Sequence, residues 1–289
     1  MASTENSICQ LNRLADTKTL HPQVSVINLT GKLNFNPERL DCYSVLLRPH
    51  LDRPQQGWNR CDFTDALLLA QAPNVSLDSL FSDESPQGGR LLLFHRDLLA
   101  FHTLGRHISD YTYLKYKPQE AVFLSKIEMA VVNDMFNNID RELRSGIDAY
   151  SCTILSDHIK LLLDYIQRFY LRQFITREDL NNSKMAELNQ TLDQYMLSGY
   201  FRRYGIPCAS RLAPALGLST AYLNDLVIHT TGLNMTDYVQ QRRLQMAKQL
   251  LISQHYSDAR IAVVLGYGNA DNFRQLFKKL TGVETSNYR

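Results

Sequence analysis

The chain has 289 residues, of which 44% are hydrophobic and 21% are charged, and these values are ordinary for one or two globular domains. No charge-free apolar run reaches the roughly 18 residues that a membrane-spanning helix needs, and the first residues lack the basic start and apolar core of a signal peptide. The composition therefore argues against a membrane protein or a secreted protein, and we expect a cytoplasmic one.

Cysteine usage agrees with that expectation. The five cysteines are scattered, and no two of them form a CxxC pair, so neither a disulfide framework nor a zinc site is predicted. A reducing compartment fits this pattern. We expect no metal and no cofactor. The cysteines are Cys9, Cys42, Cys61, Cys152 and Cys208.

The net charge of +2 is unevenly distributed. Residues 185–289 contain 11 Lys and Arg against 7 Asp and Glu, a net +4, whereas the rest of the chain carries a net −2. This modest asymmetry permits a polyanionic partner for the C-terminal part, although it does not establish one by itself.

Short apolar runs predict β-strands in the first 115 residues. Pro, Gly, Asn and Asp separate the runs, which is typical of the strands of a sandwich or barrel. Short runs of this kind also occur in helices, so they do not exclude that alternative. The runs cover residues 24–29, 42–47, 66–69 and 90–94.

Two amphipathic helices are predicted to follow. Ser125 and Glu128 have the spacing of a capping box, and the helix behind them is expected to end near Ser145-Gly146. Both apolar stripes are compatible with packing on the barrel, the more common role, or with pairing to a second subunit. The first stripe contains Ile127, Val131, Val132, Met135, Phe136, Ile139 and Leu143, and the second contains Ile159, Leu162, Leu163, Ile166 and Phe169.

A polar segment divides the chain. Residues 176–183 include Asn181-Asn182-Ser183 and predict a short linker. We therefore expect two domains, one over 1–175 and a helical one over 184–289. In the latter, Leu188, Leu192, Tyr195 and Met196 form one helix face, and Pro207 ends the helical segment before the next motif.

The last eighty residues contain an internal repeat. Each copy has a short apolar segment, a glycine turn, an amphipathic segment and a closing Thr-Gly, and the closing glycines are about 50 residues apart. We call residues 208–232 the first repeat and residues 259–282 the second repeat. One such spacing often marks an ordinary helical hairpin, but two matching copies favour a doubled helix-turn-helix, whose dominant use is to place helices in the DNA major groove.

In the first repeat, Gly217 permits the tight turn and Ser219 is the expected N-cap of the second helix. Leu212, Ala213 and Leu216 are expected to face inward from the supporting helix. The second helix is expected to bury Tyr222, Leu223, Leu226 and Val227 and to direct Thr220, Ala221, Asn224 and Asp225 outward.

The second repeat follows the same plan. Ile261, Ala262 and Leu265 match the inward residues of the first repeat, and a helix begins near Asn269 after the turn Gly266-Tyr267-Gly268. Arg, Gln and Asp side chains can recognise base edges, whereas Lys side chains meet phosphates. The helix is expected to bury Phe273, Leu276 and Phe277 and to expose Ala270, Asp271, Arg274, Gln275, Lys278 and Lys279.

A long helix capped by Asn234 is predicted to connect the repeats. A rigid connection could hold the two second helices about 34 Å apart, the spacing of successive major grooves. Its apolar stripe is Tyr238, Val239, Leu244, Ala247, Leu250 and Leu251, and Arg242, Arg243 and Lys248 are assigned to other faces.

The C-terminal segment resembles the DNA-binding domain of AraC/XylS-type bacterial transcription regulators. This resemblance covers about 100 residues and rests on specific motifs. The N-terminal half resembles the family's N-terminal domain only in the order of its predicted strands and helices. It rests on Leu216-Gly217-Leu218-Ser219, Tyr222-Leu223, Thr231-Gly232, Tyr238, Arg243-Leu244, Ala247, Leu250-Leu251, Ile261-Ala262, Leu265-Gly266-Tyr267, Phe273, Phe277-Lys278-Lys279, Thr281-Gly282 and Tyr288-Arg289.

The resemblance implies an α+β protein with an N-terminal cupin-like β-barrel, flanking helices and a C-terminal all-α domain with two helix-turn-helix motifs. It implies that 1–175 is a regulatory or dimerisation domain and that 184–289 is the DNA-binding domain. It implies a non-enzymatic, sequence-specific regulator, an activator more readily than a repressor. The implied partners are promoter DNA, RNA polymerase, a small-molecule effector and a second copy of the chain. The candidate DNA-binding residues are Thr220, Ala221, Asn224, Asp225, Asn269, Ala270, Asp271, Arg274, Gln275, Lys278 and Lys279.

Departures from the family pattern fall mainly in the first repeat. Ile228 and His229 stand where the family usually has basic residues, and Asp225 occupies an outward position often held by Arg or another polar residue that contacts DNA. No Lys or Arg lies between Thr220 and Gly232. We therefore expect the second repeat to contribute more phosphate affinity than the first. The usual Pro of the final motif is Thr285, which we expect to matter little.

Two alternatives remain open. A cupin-type metal enzyme would need clustered His and carboxylate ligands, whereas the histidines form no HxH pair. An interaction protein with a degenerate DNA-binding domain is compatible with the weakly charged first repeat. The histidines in question are His50, His95, His102 and His107.

We expect Arg274→Ala to weaken specific DNA binding more than Asn224→Ala, because Arg274 belongs to the more basic repeat and can contact guanine through two hydrogen bonds. Equilibrium binding of both variants to the same duplex, at matched folding stability, measures the difference. Equal losses would contradict an unequal division between the repeats.

Overall fold

The computed structural model describes residues 7–29, 41–49, 57–75, 88–100, 102–253 and 255–288. The chain divides into an N-terminal unit, Met1–Arg177, and a C-terminal unit, Glu178–Arg289. An antiparallel sheet with helices forms the N-terminal unit, and helices form the C-terminal unit, so the predicted α+β class is confirmed.

The N-terminal unit begins with a helix that was not predicted. Short 3₁₀ turns fill much of the segment between the fourth and fifth strands. The elements are α1 (Ser7–Leu14), β1 (Val24–Asn28), β2 (Cys42–Pro49), β3 (Ala66–Gln71), β4 (Arg90–His95), α2 (Thr103–His107), β5 (Val122–Leu124), α3 (Lys126–Arg144) and α4 (Ser151–Thr176).

The described strands form one antiparallel sheet with the order β1-β4-β2-β3-β5. The four predicted strands are confirmed, whereas β5 was missed because three residues are too few to show a periodic pattern. Ile8 and Leu11 of α1 pack in a cluster with Leu46, Leu69 and other residues of the sheet. Because the strands are buried on both faces, they appear in the sequence as continuous apolar runs.

Edge strands β1 and β5 are not paired with each other within the described residues. The described sheet is therefore open, and the cupin-like barrel stays a prediction. His50, one of the histidines considered as a metal ligand, lies outside the described residues.

Helix α3 begins at the predicted capping box. The Ser125 hydroxyl accepts the Glu128 N–H at 3.3 Å, and the Glu128 carboxylate accepts the Ser125 N–H at 2.9 Å. The predicted stripe was wrong at Ile127, which is 79% exposed. Four-residue steps drift by about 40° each around a helix, so Ile127 lies about 120° from the buried Ile139.

The C-terminal unit is helical throughout its main elements. The predicted repeat helices are present, and the supporting helix of the first repeat ends in a 3₁₀ turn, Ala213–Leu216. The helices are α5 (Glu178–Leu197), α6 (Tyr200–Tyr204), α7 (Ala209–Leu212), α8 (Thr220–Thr231), α9 (Met235–Ile252), α10 (Asp258–Val264) and α11 (Ala270–Thr281), and a 3₁₀ turn covers Thr285–Asn287.

Residues 176–183, which were predicted to form a short linker, are helical except at Arg177, the last residue of the first unit. Thr176 ends α4, and α5 begins at Glu178 and runs through the polar triplet. Asn181 and Met185 are buried on the face that continues to Leu188. Asn and Ser are weak helix formers, but tertiary packing of one helix face outweighs propensity differences of a few tenths of a kcal/mol.

The turn glycines of the two repeats share one backbone conformation and differ in their surroundings. Gly217 has φ +73° and Gly266 has φ +68°, in the left-handed region. A Cβ at Gly217 would meet no atom within 4 Å, whereas a Cβ at Gly266 would lie 2.8 Å from the Phe201 Cβ and 3.0 Å from its carbonyl carbon. The second turn therefore needs glycine for two reasons.

We expect Gly266→Ala to lower the free energy of unfolding more than Gly217→Ala. Both variants incur the left-handed cost of about 1–2 kcal/mol, and Gly266→Ala adds an overpacking cost of about 1–3 kcal/mol. Urea denaturation of the full chain, followed by the helical circular dichroism signal, measures the difference. Indistinguishable losses would contradict the close approach of Phe201.

Candidate nucleic-acid interface

The two repeats match position by position. Helices α8 and α11 each have 12 residues, and a residue of α8 corresponds to the residue 50 positions later in α11. Ser219 caps α8 by accepting the Tyr222 N–H at 3.0 Å, and Asn269 caps α11 by accepting the Asn272 N–H at 2.7 Å. The predicted N-cap Ser219 is confirmed, and so is the predicted start of a helix near Asn269.

The inward faces follow the prediction with one exception. Helix α8 buries its four predicted residues, and α11 buries Phe273 and Phe277. Leu276 was predicted to be buried but is only partly so, whereas the corresponding Leu226 is 1% exposed. Helix α5 packs against α8 in the first repeat. Leu276 instead lines an open cleft.

The outward face of α8 is small, polar and apolar. Thr220 is exposed, and Ala221, Asn224 and Asp225 are partly exposed, so all four lie on the predicted side of the helix. Ile228 continues this face and is 49% exposed. From the sequence, Ile228 was identified only as a departure from the family pattern, at a position where a basic residue is usual.

The outward face of α11 carries charges. Asp271, Arg274, Gln275, Lys278 and Lys279 are exposed, as is the capping Asn269, whereas Ala270 is partly buried. Asn272 is also exposed and was not predicted as a site residue. Its counterpart in the first repeat, Tyr222, is a core residue, so the match between the repeats does not indicate that Asn272 is exposed.

Arg274 is paired with carboxylates of the same chain. Its guanidinium donates to the Asp271 carboxylate at 2.6 Å and lies 3.7 Å from the Asp258 carboxylate. The hydrogen bond to Asp271, supported by the charges of Asp271 and Asp258, raises the pKa of Arg274 above its ordinary value. Any contact of Arg274 with a base therefore involves rearrangement or sharing of these carboxylates.

The two adjacent lysines differ in the same respect. Lys278 donates to the Glu284 carboxylate at 2.8 Å, and this hydrogen bond raises the pKa of Lys278 and lowers that of Glu284. Within the described part of the chain, Lys279 forms no ion pair. Lys279 is therefore the cation of α11 that can meet a phosphate without losing a carboxylate partner.

A cleft of about 690 Å³ adjoins the outward face of α11. Helix α9 and the turn after α10 form its other walls, and none of its lining side chains is acidic. The lining residues include Gln240, Arg243, Tyr267, Gln275, Leu276 and Lys279.

Arg243 is buried, contrary to its predicted place on another face of the connecting helix. Its Nε donates to the Leu265 carbonyl at 2.6 Å, and its guanidinium lies 3.7 Å from the centroid of the Tyr267 ring and 5.3 Å from that of Phe201. Burial lowers the pKa of Arg243 and raises that of Tyr267. The helical period of α9 does not predict that Arg243 is buried, because its partners Leu265 and Tyr267 belong to the turn after α10.

Helix α9 is also tied to α5. The predicted cap Asn234 is confirmed and accepts the Asp237 N–H at 2.9 Å. Arg242 donates to both carboxylate oxygens of Asp193, at 3.0 and 2.6 Å, and Tyr238 donates to Asn189 at 2.6 Å. The connecting helix is thus held by α5 on one side and by the second repeat on the other.

Comparison with known proteins identifies this segment. Residues 212–289 match the family model described as a helix-turn-helix domain. This segment is a helix-turn-helix domain of the AraC/XylS type. The resemblance stated from the sequence is therefore confirmed for the helix-turn-helix domain, which includes both repeats from Leu212 onward.

Three relatives carry similar segments. The Msm operon regulatory protein of Streptococcus mutans is 28% identical over 130 residues, 45% of this chain and 44% of that protein. The HTH-type transcriptional regulator YtdP of Bacillus subtilis is 35% identical over 78 residues, 27% of this chain and 10% of that protein. The bifunctional transcriptional activator/DNA repair enzyme AdaA of the same organism is 38% identical over 58 residues, 20% of this chain and 28% of that protein. The chain therefore spans less than half the length of each relative.

A solved structure with a more distant similarity is ToxT from Vibrio cholerae. It is 11% identical with a TM-score of 0.29, over 92% of this chain and 97% of that one.

Two further kinds of site were considered in the described residues. The described residues contain no group of three or more His, Cys, Asp or Glu that could hold a metal ion. No helix in the described ranges is long and apolar enough to cross a membrane.

We expect Arg243→Met to lower the free energy of unfolding by about 2–4 kcal/mol, because it leaves the buried Leu265 carbonyl without its donor and removes the stacking on Tyr267. Arg242→Met is the matched control, since it removes a partly exposed ion pair worth about 1 kcal/mol or less. Chemical denaturation of both variants measures the losses. A larger loss for Arg242→Met would contradict the role assigned to Arg243.

Proposed function

We propose that the protein is a sequence-specific, DNA-binding transcription regulator whose helices α8 and α11 enter the major groove. The observation that carries this proposal is the residue-by-residue correspondence of two capped helices. Their inward faces are apolar, and their outward faces are fully or partly exposed. Exposed amide, guanidinium and carboxylate groups are the ones that recognise base edges.

The second repeat supplies most of the electrostatic attraction in this proposal. Gln275 and Asn272 offer amides to base edges, and Lys279 offers to a phosphate an ammonium group that forms no ion pair among the described residues. Arg274 and Lys278 exchange their carboxylate partners for DNA, so each contributes less affinity than an unpaired cation would. The first repeat, without Lys or Arg in α8, acts mainly through direct contacts.

The N-terminal unit is proposed to sense a signal. Gln71 of β3 is 1% exposed, and neither polar atom of its amide has a hydrogen-bond partner among the described residues. An unsatisfied buried amide costs about 1–3 kcal/mol. A small polar effector that hydrogen-bonds Gln71, opposite Ser44 of β2, would relieve that cost. Footprinting of the full chain on DNA upstream of its own gene, with and without candidate metabolites, tests whether such an effector changes binding.

Dimerisation and activation belong to the same proposal. Helix α4 exposes Ile154, Leu161 and Ile175, which suits contact with a second copy of the chain. Activation through RNA polymerase rests on the family resemblance, and sedimentation together with transcription in vitro tests both points.

Two measurements distinguish this proposal from the alternatives considered from the sequence. A protein that keeps the helix-turn-helix domain for protein contacts alone would bind DNA weakly and without steep salt dependence. A cupin-type metal enzyme would contain stoichiometric metal after purification, which elemental analysis measures.

We expect the logarithm of the DNA association constant to fall linearly with the logarithm of salt concentration, with a slope of about −0.9 for each neutralised phosphate. Lys279→Ala is expected to make this slope less negative by about 1. The matched variant Lys278→Ala is expected to change it less, because Glu284 already neutralises Lys278 in the free protein.

Fluorescence anisotropy of the full chain with a labelled promoter duplex, at several salt concentrations, provides the slopes. A flat salt response of the wild type would overturn the DNA-binding proposal. A larger slope change for Lys278→Ala than for Lys279→Ala would contradict the assigned pairing.

A further inference from the structure

The outward face of α8 contains an exposed aliphatic side chain. Ile228 is 49% exposed, and in α11 the corresponding position is the charged Lys278. We propose that Ile228 recognises the 5-methyl group of a thymine, so that the first repeat selects its DNA sequence by an apolar contact. This inference rests on the proposed DNA-binding function and adds a base chemistry to it.

The position of Ile228 supports this role. Ala221, Asn224, Asp225 and Ile228 follow the i, i+3, i+4, i+7 pattern and form one stripe opposite the buried face. Ile228 lies about 20° from Ala221 around the helix axis and about 10.5 Å farther along it. A groove-bound α8 would therefore bring Ile228 to the same side of the helix as the polar candidates.

The charge distribution on α8 also supports this role for Ile228. Its outward face has no Lys or Arg, and Asp225 lies on it, so phosphate attraction contributes little there. Removal of apolar surface from water remains as a favourable term for this face. Ile228 offers the largest aliphatic side chain of the stripe for that purpose.

Thymine is the base that presents a methyl group in the major groove. Asn224, on the same stripe, can pair through its amide with the edge of an adenine. Ile228 and Asn224 together therefore favour A·T base pairs in the half-site of the first repeat. Without a methyl group, cytosine and uracil would leave the exposed part of Ile228 against a less complementary groove surface.

Leu280 provides a control of similar chemistry. It is 54% exposed and lies in the last turns of α11, where its counterpart in α8 is Thr230 rather than a member of the outward stripe. Single exposed apolar residues are common on protein surfaces. A contact with thymine is therefore expected for Ile228 and not for Leu280.

The test replaces each thymine of a footprinted site, one at a time, by deoxyuridine, which removes only the 5-methyl group. For the wild-type full chain we expect one position in the half-site of the first repeat to lose about fourfold in affinity, as for burial of one methyl-sized group. Ile228→Ala should bind the thymine duplex more weakly and should show no loss at that position. Leu280→Ala should retain the loss.

Combining the protein variants with the deoxyuridine substitutions distinguishes the loss of a base contact from the loss of folded protein. Alanine is a better helix former than isoleucine, so α8 is expected to persist in Ile228→Ala, and circular dichroism checks this. If no position is sensitive to deoxyuridine, or if Ile228→Ala keeps the same sensitivity, the inference is overturned while salt-dependent binding upholds the proposed function. If the wild type binds no duplex, the proposed function itself is overturned.

Discussion

The C-terminal unit depends on the placement of one buried guanidinium. Arg243 donates to the carbonyl of Leu265, stacks on Tyr267 and faces Phe201, so a single side chain of α9 holds the residues on both sides of the turn glycine. Helix α11 follows directly from this turn, so the contacts of Arg243 set its orientation relative to α9. These contacts do not depend on bound DNA. A buried cation of this kind is stable only when its donors and its charge are both satisfied.

The two repeats solve the same structural problem and leave different surfaces. Caps, turn glycines and buried apolar residues recur in both repeats. The neighbours of the two helices differ: α5 covers one side of α8, whereas the corresponding side of α11 borders the open cleft. On the outward faces, charge in the second repeat is largely balanced by Asp271 and Glu284, whereas the first repeat offers Asn224 and Ile228. The proposed division into an electrostatic contact and a methyl contact rests on these surfaces.

Much of this fold and part of the candidate site could be predicted from local sequence. Capping residues such as Ser125, Ser219 and Asn269 act within three residues, and four strands were visible as apolar runs. Predictions failed where distant residues decide. The start of α5 was hidden because packing outweighed weak helix formers, and the match between the repeats does not indicate that Asn272 is exposed, because its counterpart Tyr222 is buried.

The sequence by itself determined the doubled motif, its caps and turns, and the resemblance to AraC/XylS-type regulators, because short-range hydrogen bonds and helical period are written in neighbouring residues. Only the tertiary structure decided which charges are available for a partner. Arg243 is buried, Arg274 and Lys278 are paired, and Lys279 is exposed without an ion pair in the described residues. The physical reason is that pairing and burial depend on side chains brought together by folding, and no spacing along the chain records them.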